Sequence, residues 1–253
     1  SDNPPVNALS YHVRQGLADG LEMAQSDEDA KAVVLHCEGR TFFPGMDITE
    51  FGKSNVPDAA SIGEVIEAFE GFDFIVAPSG SCASMLKKHY PGLFAGDAAW
   101  EERAQRFSGK CHELISFLSD VMMVRDTGAE LAASITYHDS CSGLRELGIR
   151  EQPRKLLANV DGLTVREMND SDVCCGFGGT FCVKYSDISN AIVTKKVGKI
   201  DASGADMLLA GDLGCLMNMA GKLKRQGSDV EVRHVAEVLA GMTDQPPIAG
   251  SGK

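Results

Sequence analysis

Two cysteines stand side by side at Cys174 and Cys175, inside the stretch SDVCCGFGGTF that runs from Ser171 to Phe181. A disulfide between sequence neighbours needs a strained ring, so the pair is poorly placed to bond to itself. Thiolates are soft donors, and ligation of a metal or an inorganic cluster is the chemistry that adjacent thiols suit best. Thirty-two residues separate Cys141 from the pair, and 39 separate the pair from Cys215, with Cys82 further upstream. Gly80, Gly143, Gly176, Gly178, Gly179 and Gly214 flank these cysteines. Glycine lets a backbone approach a bulky inorganic group and adopt positive φ without strain. The competing role is packing, because a free cysteine behaves as a small hydrophobe. That role fits Cys37, Cys111 and Cys182 better than it fits the pair.

The elements that must position these thiols follow from periodicity. Tyr11 to Ser26 has helical spacing, KAVVLHC is a short β-rich run, and SNVPDAA is a polar, proline-containing linker. SIGEVIEAFEG is read as a helix, FDFIVAPSG as a strand running into a turn, and GDAAWEERAQRFSGKCHELISFLSDV as one long amphipathic helix carrying Cys111. Strands are expected near AASITYHD, LTVREM, ADMLLAGD and DVEVRHV. Helices are expected near Pro153 to Ala158, Ser186 to Asp201, Cys215 to Gln226 and His234 to Leu239. This alternation predicts an α/β fold with a mostly parallel sheet and flanking helices. Cys82, Cys141 and Cys215 each fall just past the end of an expected strand, where open α/β sheets bind ligands. His138, at one such strand end, could donate a hydrogen bond to a cluster or satisfy the turn.

Composition narrows the partners. The 253 residues are 43% hydrophobic, enough to bury a core, and the formal net charge of −12 gives a pI near 4.9. Nucleic acid and anionic membrane would repel such a chain at long range. No apolar run reaches the length of a membrane span and no secretory leader is recognisable, so no membrane insertion is expected and the cytoplasm is the default compartment. Eight cysteines in a chain this long are too few for a disulfide scaffold.

The phrases VAPSGSCASMLKKHYPGLF, YHDSCSGLRELGI, CCGFGGTF and GDLGCLMNMAG, in this order over about Ile66 to Met242, resemble the cysteine-rich CCG-domain iron–sulfur family, most closely its lactate utilization protein A branch. The resemblance implies a Rossmann-like cysteine-rich domain holding an iron–sulfur cluster, of the 4Fe–4S kind, or zinc as the alternative. It implies electron transfer during oxidation of a small 2-hydroxy acid such as lactate or glycolate, in a complex with other subunits. The chain would then be a redox subunit rather than a stand-alone enzyme. Carried over by position, Cys141, Cys174, Cys175 and Cys215 correspond to the second half of the family's motif, and Cys82 to the last cysteine of the first half. Two departures stand out. No cysteine pair precedes Cys82, with Cys37 alone upstream, and the second half ends in Cys215-Leu216-Met217-Asn218 rather than Cys-x-x-Cys.

The first 52 residues resemble the N-terminus of the crotonase family of enoyl-CoA hydratases and isomerases. There the turn corresponding to PGMDI offers a backbone N–H, here that of Met46, to a thioester oxygen as half of an oxyanion hole. The second donor and the acid–base glutamates have no counterpart. The expected organisation is therefore a crotonase-like fragment over 1–60, a cysteine-rich domain over 61–243 and a tail over 244–253. A crotonase-type acyl-CoA fragment and a non-catalytic zinc-binding domain are the alternative functions.

Overall fold

The structure, a computed structural model, describes residues 11–27 and 59–250. The strand expected at KAVVLHC with Cys37, the PGMDI turn with Met46, and the start of the SNVPDAA linker lie outside the described residues. The chain divides into two compact units, one of Ser1–Ile75 with Leu86–Cys111, the other of Val76–Met85 with His112–Lys253.

In the first unit, helix α1 (Tyr11–Ser26) covers the residues read as helical from their spacing, and α2 (Ala59–Phe69) follows. The chain then passes through strand β1 (Ile75–Ala77) and helix α3 (Gly80–Ser84), which fall largely in the second unit, and after a π-helical turn at Met85–His89 the first unit resumes with α4 (Tyr90–Leu93) and α5 (Ala98–Lys110). Asp97 caps α5 by accepting from the Trp100 N–H at 3.3 Å. Ile66, Phe94, Ala104, Phe107 and Cys111 form this unit's core, with Tyr90 stacked on Phe107 and Trp100 on Phe94.

The single long helix expected over Gly96–Val121 is not formed. The chain leaves the helix at Lys110 and extends into β2 (Cys111–Glu113), which pairs with β1. Ser108 and Gly109 in the last turn are weak helix formers, so pairing overrides the helical period. Cys111 therefore sits at a strand start, buried, its thiol donating to the Phe107 carbonyl at 3.3 Å.

The second unit continues through α6 (Leu114–Ser116), a π-helical turn at Phe117–Val121, β3 (Ser134–His138), α7 (Cys141–Leu147), α8 (Glu151–Leu157) and β4 (Thr164–Val165). It ends with α9 (Phe181–Lys184), α10 (Ser186–Ala202), β5 (Met207–Ala210), α11 (Leu213–Gln226), β6 (Glu231–His234) and α12 (Val235–Leu239). The strands form an all-parallel sheet in the order β4-β3-β5-β6. Strand β5 is buried along its whole length, as a central parallel strand must be when helices cover both faces. Its alternation divides the core. Leu208 and Ala210 pack with Val193, Val197 and Ile200 of α10 and Leu216, Met219 and Leu223 of α11, whereas Met207 and Leu209 pack with Leu156 and Leu157 of α8 and Val235 and Val238 of α12. This is the α/β architecture that the sequence predicts. Residues beyond α12 run beside β6, where Ile248 N–H donates to the Val232 carbonyl at 2.9 Å.

Candidate metal centre

Parallel pairing sets His138, Ala210 and His234 opposite one another, so the last residues of β3, β5 and β6 line one sheet edge. Past that edge the chain turns into helices whose first turns carry cysteines. Cys141 is the first residue of α7, which Ser140 caps by accepting from the Gly143 N–H at 3.3 Å. Cys215 lies in the first turn of α11, where the buried Asp212 carboxylate accepts its N–H at 3.4 Å.

Cys174 and Cys175 arrive on the loop between β4 and α9, and Ser171 pins that loop. Its carbonyl faces His138 Nδ1 at 3.1 Å and accepts from the Asp139 N–H at 3.1 Å and from Lys196 Nζ at 2.9 Å. Its hydroxyl donates to Asp139 at 2.9 Å. Asp139 is held in turn by both guanidinium nitrogens of Arg154, at 2.8 and 2.9 Å, the bidentate geometry that makes such pairs strong.

The structure brings four of the expected ligands together. Cys141 interacts with Cys174, Cys174 with Cys175, and Cys175 with Cys215, so the thiols form one continuous chain. Cys175 and Cys215 are buried, and Cys141 and Cys174 are partly so. His138 Nε2 and the sulfurs of Cys175 and Cys215 lie within 4.8 Å of one another.

All four thiols are pushed above the ordinary cysteine range. Hydrogen bonding to Cys175 and then burial raise Cys174, and burial followed by Cys174 raises Cys141. Cys175 is drawn down by Cys174, but Cys215 and burial outweigh that pull. Cys215 is drawn down by Cys175, and burial with Asp212 outweighs it. Neutral thiols are thus favoured in the absence of a cation, and coordination of one would deprotonate them. Backbone donors are already turned toward the sulfurs: the Gly176 N–H reaches Cys174 Sγ at 3.3 Å, and the Phe177 N–H favours the Cys175 thiolate. The buried Lys196 also favours the Cys141 thiolate, and its own ammonium is drawn down by burial. Burial, then the Lys196 charge, lowers His138 to about 4, so its ring is neutral.

The glycines have a nearer cause than ligand approach. Gly176, Gly178 and Gly179 have φ of 86°, 54° and 60°, and a Cβ on Gly176 would stand 2.7 Å from the Ser189 carbonyl of α10. A Cβ on Gly214 would stand 2.4 Å from the Phe177 ring. Loop conformation and packing require both positions before any ligand does.

Cys82 occupies a different setting. It is exposed, and Ser79, Ser81 and Asp212 surround its thiol. Although the residue is exposed overall, partial burial of its sulfur among these neighbours raises the thiol, with Asp212 adding to the rise. Cys182 donates to the Gly179 carbonyl at 3.0 Å on α9.

Sequence reasoning missed the residues that hold the ligand loops: Ser171, Lys196, Arg154 and Asp212. Asp212 was legible, because an aspartate three residues before Cys215 at a helix start is a capping signal. Arg154 and Lys196 meet the loop through tertiary contact, and no local pattern marks them.

Residues 135–220 match the CCG cysteine-rich domain family, a span that contains Cys141, Cys174, Cys175 and Cys215 and begins after Cys82. Lactate utilization protein A of Geobacillus sp. strain WCH70 is 49% identical over 175 residues, covering 69% of this chain and 73% of that protein. The chain belongs to the lactate utilization protein A family. The family member from Lysinibacillus sphaericus strain C3-41 is 47% identical over 175 residues, 69% of this chain and 76% of its own. Lactate utilization protein A 2 of Bacillus cereus strain AH820 is 45% identical over 177 residues, 70% and 73% of the two chains. The crotonase resemblance of the first 52 residues finds no support in these comparisons. Among the described residues, no helix is long and apolar enough to cross a membrane.

Proposed function

We propose that this chain is an iron–sulfur subunit that relays electrons during oxidation of lactate or a related 2-hydroxy acid. The observation that carries the reading is the unbroken chain of four interacting thiols at one sheet edge. The names of its relatives point to the same metabolism. The donor set suits the group: four soft sulfurs, with N–H groups aimed at two of them. Cys141, Cys174, Cys175 and Cys215 would hold the cluster. An iron–sulfur cluster bound there supplies one-electron redox chemistry at a potential set by burial and by hydrogen bonds to sulfur. The protein's part is to exclude water around Cys175 and Cys215, to supply N–H donors from Gly176 and Phe177, and to offset thiolate charge with Lys196.

Conversion of a 2-hydroxy acid to a 2-oxo acid releases two electrons and two protons. A partner subunit would carry out that step and pass its electrons singly to this chain, which would deliver them to a second partner. The working module on this reading is the cysteine-rich domain over 61–243, flanked by 1–60 and 244–253.

Anaerobic purification with iron, sulfide and zinc quantified per chain tests the proposal. Iron and sulfide in equal amounts are expected. Zinc without sulfide would replace the cluster by a structural zinc site, and neither metal would end both readings.

A further inference from the structure

We propose that His138 is a nitrogen ligand of the metal centre, binding through Nε2 beside the sulfurs of Cys175 and Cys215. The inference rests on the metal-binding reading above and extends its donor set.

His138 is fully buried at the end of β3, and its Nε2 has no hydrogen-bond partner. A buried polar atom left unpaired costs on the order of 1–3 kcal/mol, so a nitrogen kept in that condition calls for a missing partner. The other ring nitrogen fixes what kind. Nδ1 faces the Ser171 carbonyl at 3.1 Å, and a carbonyl can only accept, so Nδ1 carries the proton. In the neutral ring Nε2 then presents a lone pair toward the thiols rather than an N–H. The hydrogen bond to a cluster sulfur that the sequence suggests for His138 would need a proton on Nε2, and the ring would then turn a bare Nδ1 onto a carbonyl oxygen. An unpartnered lone pair within 4.8 Å of two cysteine sulfurs is placed to serve as a ligand. An imidazole anchored by its second nitrogen to a backbone carbonyl is also the usual arrangement of metal-bound histidine.

The spacing agrees. On a tetrahedral ion, bonds of about 2.3 Å to sulfur and 2.0–2.1 Å to nitrogen set the ligand atoms about 3.6–3.8 Å apart. Nε2 and the two sulfurs, all within 4.8 Å of one another, need only a small closure to reach those separations. The ring is fixed from behind, because the Ser171 carbonyl it faces is also held by Asp139 and Lys196.

The test uses the full chain with two probes. For iron, the reduced, anaerobically reconstituted protein is examined by pulsed EPR with natural-abundance and 15N-labelled histidine. A histidine nitrogen coupling that changes with the label, and is lost in His138→Gln while iron remains, is expected. For a sulfide-free metal, Co2+ is titrated alone. The Co2+ complex should show a hyperfine-shifted, exchangeable ring N–H, and His138→Gln should bind Co2+ about tenfold more weakly or worse. Metal binding by either probe without histidine coupling, or equal Co2+ affinity in His138→Gln, overturns the role of His138 and leaves the cysteine centre standing. Co2+ binding with the shifted ring proton but no iron–sulfide uptake supports His138 and overturns the cluster instead. Binding of neither metal overturns both. Should His138→Gln fail to fold, His138→Asn takes its place, and absence of any histidine coupling in the labelled, unmodified chain overturns the role of His138 by itself.

Discussion

Two strand-to-helix corners, one from each sheet, start from the same local recipe and end differently. After β3, a serine cap leads into a helix beginning with Cys141, and after β1, Ser79 leads into a short helix carrying Cys82. At the first corner the thiol meets Cys174 and, through it, Cys175 and Cys215. At the second, the thiol meets two serines and a carboxylate and stands exposed. A cysteine at a helix start beyond a strand is therefore not enough to bring its thiol to the others. What separates the corners is whether other soft donors reach the same point.

The strongest way to break this comparison is to remove one thiol from each corner. Cys175→Ser should lose most of its iron and its visible absorption after anaerobic reconstitution, because a serine oxygen is a poor substitute for thiolate toward iron. Cys82→Ser should retain both, since its neighbours are already oxygen donors. Equal losses of iron per chain in the two variants would show that both corners serve one centre and that the contrast in their surroundings carries no chemistry.

A smaller effect should follow from loosening the residue that joins the Cys82 corner to the start of α11, where Cys215 lies. The buried Asp212 carboxylate accepts from Ser79 Oγ and the Ser81 N–H, each at 3.0 Å, and from the Cys215 N–H at 3.4 Å. Beside it, the Gly80 N–H donates to the Gly211 carbonyl at 3.1 Å. Asp212→Ala removes the cap of α11 and strands three donors, a cost of about 2 kcal/mol. Urea unfolding should show that loss. Asp212→Asn, which keeps a capping oxygen, should recover part of it. An unchanged midpoint in Asp212→Ala would mean that the Cys82 corner and the start of α11 are held by other contacts.

How much of this could be read from the chain differs between the corners as well. The strands were legible because β3 and β5 are short apolar runs ending at turns, and the cysteines were legible because they follow those ends. That Cys111 leaves the helix and that Cys82 faces oxygens were not. Each depends on partners distant in sequence: Cys111 on the pairing of β2 with β1, and Cys82 on Asp212, 130 positions further along. His138 was visible at a strand end, but which nitrogen faces the thiols depends on the Ser171 carbonyl. Periodicity reports an element's own faces, whereas a site is made where loops from several elements meet.

The smallest predicted effect sharpens the comparison through pH. His234 ends β6 and ties the Cys82 corner to the sheet, with Nε2–H donating to the Pro78 carbonyl at 2.9 Å and Nδ1 accepting the Ala236 N–H at 3.1 Å. Both nitrogens are used, one as donor and one as acceptor, which only the neutral ring can do. Burial lowers its pKa, while the Pro78 carbonyl and the Asp212 charge oppose the fall without cancelling it. Glu237 sits across the cap, its carboxylate accepting the His234 N–H at 2.9 Å. A group whose folded pKa lies below its unfolded value near 6.5 binds fewer protons when folded. Its contribution to stability is therefore present above about pH 6.5 and is lost as pH falls below that value, at no more than about 1.4 kcal/mol per pH unit. His138, lowered to about 4 by burial, adds a loss of the same sign over the same range. His234→Asn separates the two, since asparagine caps a helix without titrating. Between pH 7.5 and 5.5 the unfolding free energy of the unmodified chain should fall more steeply than that of His234→Asn. Identical slopes would assign the whole pH dependence to the His138 side and leave the Cys82 corner indifferent to protons.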